Sequence, residues 1–223
     1  MPHLLNVLIW LPILGGISVF TFGDDRRPNA AFYTGLIIVL LSLVLCIPLI
    51  QNFDANTTSM QFVEHFSWLP SYGIHYDLGI DGLSLLLIVL SIFTTLIVIL
   101  TSWGSVEKKT GQYIAAFLIL QGLLIGVFSA LDSILFYVFW EASLIPMYLI
   151  IGIWGSTNRI YAAIKFFLYT FLGSILLLVA FLYMGFKAGD FSIASFYTLK
   201  LSMAAQTFIF IAFFFGFAIK KPM

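Results

Sequence analysis

Apolar runs of about twenty residues, separated by short polar clusters, set the pattern along this chain. A membrane-crossing helix needs about 20 mainly apolar residues. Stretches of that kind lie at 4–22, 30–50, 83–103, 113–130, 133–153, 166–186 and from 204 onward. The pattern predicts an all-α polytopic membrane protein with about seven transmembrane helices. Five of the seven stretches hold no Asp, Glu, Lys or Arg; the fifth carries Glu141, and the last carries Lys220 with Lys221 beside it.

The first stretch has only His3 before it and no small-x-small cleavage pattern after it, so it reads as a retained span rather than a signal peptide. The gap at 51–82 is too polar to span and too aromatic for a floppy linker. Trp68, Tyr72 and Tyr76 suit the headgroup interface, which predicts an outward-facing cap on the helices. No short-period repeat is visible. The chain stops inside an apolar run, at GFAIKKPM, without a closing loop. That ending predicts either a fragment of a longer protein or a last helix cut short.

Orientation follows from the basic residues between spans. Arg26, Arg27, Lys108, Lys109, Arg159 and Lys165 fall in the first, third and fifth connections, whereas only Lys187 and Lys200 fall in the even-numbered ones. The positive-inside rule then puts the N-terminus outside, on the periplasmic face of a bacterial inner membrane.

Composition narrows the function classes. The chain is 61% hydrophobic and 9% charged, against about 25% charged in soluble domains, so the lipid bilayer is its solvent. Ten basic and ten acidic residues balance, leaving no basic face for nucleic acid. The single cysteine, Cys46, cannot hold an iron–sulfur cluster, a structural zinc or an internal disulfide. No Gly-rich phosphate loop is present. The expectation is a chain with no cofactor and no metal of its own.

Candidate chemistry is therefore confined to a few ionisable groups. Glu141 lies nine residues into the fifth stretch, roughly 13 Å deep at 1.5 Å per residue. Insertion scales put an acidic residue near a helix centre at roughly 2.5–3.5 kcal/mol. Such a group needs a partner, a proton or a water-filled cavity. It is either a neutral acid packed against a neighbouring helix or a proton carrier. Pro146, five residues on, removes a backbone bond and can kink the same helix. Lys220 is either a snorkelling anchor like Lys221 or a buried amine that changes protonation near Glu141. Pro222 predicts a broken helix at that point, and broken helices line ion paths in transporters. Asp81 and Asp132 each open a helix and read as N-caps. Lys165 reads as an inside-facing anchor. His3, His65 and His75 are isolated and lack metal-ligand spacing, and the many Trp and Phe residues carry no assigned chemistry.

At these residues the chain resembles a known family. FWEASLIPMYLIIGIWG at 139–155, NRIYAAIKFFLYTFLGS at 158–174, FGFAIKKPM at 215–223 and YDLGIDGLSLLLIVLS at 76–91 are similar to the motifs of the subunit M family of bacterial NADH–quinone oxidoreductase, respiratory complex I. The resemblance runs in order over nearly the whole chain. It implies an antiporter-like, proton-translocating membrane subunit built from two inverted helical repeats, with this chain as the N-terminal half and a broken seventh helix. It implies a single membrane domain over 1–223, with three helices and the outward loop in 1–110 and an incomplete first repeat in 111–223. It implies that Glu141 and Lys220 carry the proton chemistry, with Lys165, Asp81 and Asp132 secondary. It implies that NADH, FMN, iron–sulfur clusters and quinone belong to other subunits, and that the partners are other membrane subunits of the complex. The family continues past Lys-x-Pro into a further helix with another lysine or histidine; these 223 residues do not. The same core motifs fit a subunit of a multi-subunit cation/proton antiporter of the related type. A structural membrane subunit without transport is the third reading, against which the two buried charges argue.

Overall fold

The structure is a computed structural model that describes residues 3–22, 28–106 and 108–220. In chain order it contains α1 (Leu4–Phe22), α2 (Pro28–Gln51), β1 (Gln61–Leu69), β2 (Ile74–Ile80), α3 (Gly82–Ser102), α4 (Thr110–Ser129), α5 (Ser133–Ala142), α6 (Leu144–Trp154), α7 (Arg159–Ala188), the short α8 (Ile193–Phe196) and α9 (Met203–Lys220). Among the described residues, seven helical stretches are long and apolar enough to cross a membrane, with α5 and α6 together forming the fifth. This is the polytopic helical architecture that the apolar runs predict.

Two features add detail to that expectation, and a third falls outside the described residues. First, the 51–82 connection, expected as a cap, holds a hairpin: β1 and β2 pair as a two-stranded sheet, joined through a 3₁₀ turn at Pro70–Tyr72. Gly73 closes the turn with φ +67, the left-handed region that glycine enters without steric cost. Second, α7 starts at Arg159 rather than 166, so Lys165 rides on its second turn rather than in a connection. A 30-residue helix is about 45 Å long, whereas the hydrocarbon core is about 30 Å thick; its ends have room for charge. Third, the break expected at Pro222 lies outside the described residues, as do Arg26 and Arg27.

The chain divides into two compact units, Met1–Glu64 with Leu78–Ser129, and His65–Asp77 with Ala130–Met223. In the first, α1 packs chiefly on α4. Leu5, Leu8 and Ile9 of α1 and Ile114, Leu118 and Ile125 of α4 are fully buried. Apolar burial does not drive helices together in lipid, so close contact depends on small residues. A Cβ at Gly122 would stand 2.5 Å from the Ile9 carbonyl oxygen, and one at Gly16 2.9 Å from that of Ala115. No side chain fits between these backbones. Glu64 of β1 caps the N-terminus of α1, accepting the Leu5 N–H at 2.8 Å and the Asn6 N–H at 3.4 Å.

In the second unit, Leu177, Phe181 and Met184 of α7 form a core against Phe136 and Tyr137 of α5 and Phe213 of α9. Backbone bonds tie the hairpin to this unit. The Leu131 N–H donates to the Asp77 carbonyl, Ile193 to Leu131, and Ser133 to Phe191.

Candidate functional site

Asp132 fixes where α5 begins. One carboxylate oxygen accepts the N–H groups of Ile134 (2.8 Å) and Leu135 (3.1 Å), and the other accepts the His75 N–H at 3.0 Å. The side chain is 1% exposed. Burial pushes its carboxyl above the usual carboxylate range, opposed by those three N–H donors. The N-cap reading is what the geometry shows; the added bond to the hairpin is not visible in the sequence.

From that start, Tyr137 and Glu141 fall one turn apart on the same face of α5, and both face the Ser174 hydroxyl of α7. One Glu141 carboxylate oxygen, Oε1, is buried without a hydrogen-bond partner. Buried polar atoms are rarely left so.

The helix that carries Glu141 is interrupted directly after it. Pro146 has no N–H, so the Ala142 carbonyl loses its helical donor. Ser143 keeps helical torsions of −63° and −20°, and its N–H still donates to the Phe139 carbonyl at 3.1 Å, so α6 continues from α5. The Ser143 hydroxyl donates to the Trp140 carbonyl at 2.6 Å. The carbonyl end of α5 is thereby presented beside the carboxylate, and a helix carbonyl end favours a cation.

Lys220 is the cation that faces it. Its position follows from a close approach of α9 to α7: a Cβ at Gly216 would stand 3.3 Å from the Gly173 carbonyl oxygen. Gly216 is one turn before Lys220, and Gly173 immediately precedes Ser174. The pair of glycines therefore brings the lysine into register with the residue that faces Glu141. The Lys220 ammonium sits 3.4 Å from the Trp140 carbonyl oxygen and 3.5 Å from the Ser143 hydroxyl. It lies over the Trp140 ring, 3.3 Å from the centroid. Its charge interacts with that of Glu141, but the two do not close an ion pair.

The remaining expected residues lie elsewhere. Asp81, in the first unit, caps α3 by accepting the Ser84 N–H at 2.7 Å; that bond holds its carboxyl below the usual range. Lys165 is exposed, with its ammonium 5.8 Å from the Tyr161 ring centroid. Pro146 is buried at the interruption.

The sequence assigns no chemistry to the aromatic residues; the fold places Trp140 in direct contact with the lysine. His65 and His75 were expected to be isolated, but strand pairing sets their rings 5.0 Å apart, and His65 Nδ1 pairs with Asp77. Among the described residues, no group of three or more His, Cys, Asp or Glu side chains is arranged to hold a metal ion, and Cys46 is a buried free thiol.

Residues 29–129 match the family model for the amino terminus of NADH-ubiquinone oxidoreductase chain 4, and residues 130–223 that for the NADH:quinone oxidoreductase/Mrp antiporter transmembrane region. The chain is 41% identical to NADH-quinone oxidoreductase subunit M of Rhodobacter capsulatus, with all of this chain and 46% of that protein aligned. It is 43% identical to NADH-ubiquinone oxidoreductase chain 4 of Arabidopsis thaliana, covering 98% of this chain and 44% of that protein. A chain of respiratory complex I from Thermus thermophilus, solved with bound NADH, superposes with a TM-score of 0.83 at 28% identity over 98% of this chain and 44% of that one. A chain of the Mrp complex from Dietzia sp. shares the fold, with a TM-score of 0.80 at 16% identity over 98% of this chain and 23% of that one. The chain spans about half the length of the curated relatives it matches.

Proposed function

Since the chain belongs to the family of NADH-quinone oxidoreductase subunit M, known as chain 4 in plants, we propose that it is the N-terminal part of a proton-translocating subunit of a respiratory NADH–quinone oxidoreductase. Glu141 and Lys220 are its proton-handling pair. Electron transfer from NADH to quinone takes place in other subunits, and the energy released there moves protons through this one. Its partners are neighbouring membrane subunits and lipid.

The observation that carries this reading is the arrangement at the α5 interruption. A carboxylate with an orphan buried oxygen stands near an ammonium that it does not pair with. Opposite charges stabilise each other, so ionised Glu141 favours the protonated form of Lys220, and neutral Glu141 withdraws that support. Each group can drive the protonation of the other, which is the coupling a pump requires. Near the helix interruption, the Trp140 carbonyl and the Ser143 hydroxyl face the cation, as the ends of broken helices do in transporters. The distribution of Lys and Arg supports an outward N-terminus in the cell's inner membrane.

A subunit of a multi-subunit cation/proton antiporter is the rival reading, and the Mrp likeness supports it at the level of fold alone. Affinity purification of the full-length protein from its own membranes separates the two. The expected result is a co-purifying assembly that reduces quinone with NADH. An assembly without flavin or iron–sulfur clusters would contradict it.

A further inference from the structure

We propose that Trp140 is a positioning residue whose indole face is the seat of the Lys220 ammonium whenever the lysine is parted from Glu141. This rests on the reading of Glu141 and Lys220 as a proton-handling pair and adds a third member to it.

The geometry is that of a built site. The ammonium lies 3.3 Å from the ring centroid. The ring is held on both sides: Phe136, one turn earlier on α5, stacks on it at 5.5 Å and 28°, and Phe217 of α9 meets it edge-on at 5.7 Å and 85°. Its backbone carbonyl and the Ser143 hydroxyl stand at 3.4 and 3.5 Å from the same ammonium. An ammonium has three donors and no acceptor. Ring face, carbonyl and hydroxyl together give it a resting place that needs no carboxylate.

A proton-handling pair needs such a place. A lysine with Glu141 as its single possible partner would either stay ion-paired or face a dry interior as a bare charge, and burying an unpaired charge is costly. The indole presents the strongest aromatic quadrupole to a cation, and its attraction grows when water is excluded. It carries no charge and does not titrate, so it leaves the protonation of Glu141 and Lys220 free to change. Glu141 is the charged group whose field reaches Lys220. Tyr137, through its shared Ser174 neighbour, is the other titratable side chain facing the carboxylate from α5.

The test uses the full-length complex in sealed membrane vesicles, with NADH-driven proton pumping and quinone reduction measured together. Assembly is verified by NADH oxidation with an artificial acceptor. Mono-, di- and trifluorinated tryptophan placed at position 140 withdraw charge from the ring face with almost no change in shape. The expected result is a stepwise fall in pumping with each fluorine. Trp140→Leu should lose pumping roughly 2- to 30-fold, the span of a cation–π contact, and Trp140→Phe should recover part of it. Glu141→Gln is carried in parallel. Loss of pumping in Glu141→Gln with a flat fluorination series would overturn the Trp140 seat alone. Normal pumping in Glu141→Gln would overturn the pair on which it rests. Should the leucine variant fail to assemble, the fluorinated series still decides, because it leaves packing intact.

Discussion

The Lys220 ammonium rests on the face of Trp140, the residue immediately before Glu141, rather than on the Glu141 carboxylate. Eighty positions separate the lysine from the tryptophan in sequence. The glycine contact between α7 and α9 and the interruption of α5 after Glu141 bring them together.

Lys220→Arg and Lys220→Met distinguish a proton carrier from an anchor. Arginine keeps the positive charge but does not give up its proton. If Lys220 must release a proton, both variants lose pumping by at least about tenfold, since a missing proton-transfer group typically contributes 10²–10⁴-fold. An anchoring lysine would be replaced by arginine with pumping intact. Proton uptake by vesicles containing the full-length variants reads the difference.

Asp132 joins the start of α5 to the hairpin, so its loss should be felt at both. Asp132→Ala leaves the caps of Ile134 and Leu135 and the His75 N–H without an acceptor. The expected cost is roughly 2–4 kcal/mol, the loss of a helix cap plus an orphaned buried donor. Asp132→Asn retains an acceptor and should cost less than half as much. Apparent melting temperature in detergent checks the order.

The pH dependence of these two aspartates has opposite sign. The Asp132 carboxyl titrates above its unfolded value because of burial, so the folded state holds its proton more tightly. Its contribution to stability is fully present below about pH 4, the unfolded value, and is lost as pH rises through the folded one. Asp81 is held below its unfolded value by the Ser84 N–H. Its contribution is present above about pH 4 and lost as pH falls through the folded value. Melting temperatures between pH 3 and 7 should therefore show Asp132→Asn gaining on the parent as pH rises, and Asp81→Asn gaining as pH falls.

Glu64→Ala should loosen the first turn of α1 without disturbing α5. The Leu5 and Asn6 amides lose their shared acceptor, a loss of roughly 1–2 kcal/mol. Hydrogen exchange at residues 5–8 should quicken by about tenfold, while Glu64→Gln should hold it near the parent rate.

Much of this was legible in the sequence, and the remainder was hidden for definite reasons. The apolar runs give the spans because a bilayer imposes one length on each of them. Asp81 and Asp132 announce their caps because capping is local, decided within three residues. Glu141 and Lys220 stand out because charge is rare in lipid-spanning helices. The Glu64 cap of α1 is invisible because its partners lie 59 and 58 residues away. The hairpin is not legible because β1 is largely exposed and β2 half-buried, and their mixed polar and aromatic residues give no clean alternation of hydrophobic positions. Trp140 is not distinctive in the sequence because this chain is rich in aromatic residues; its contact depends on where Lys220 lands. Gly173 and Gly216 decide that landing, and neither is distinctive until their backbones are seen to meet.

Proton pumping by the full-length complex carrying Glu141→Gln tests the pair most directly. Glutamine preserves the shape of the side chain and its contact with Ser174 but can neither ionise nor carry a proton. The expected result is an assembled complex in which NADH-driven pumping falls at least about tenfold. Pumping at the parent rate and stoichiometry would contradict a proton-handling role for Glu141 and Lys220.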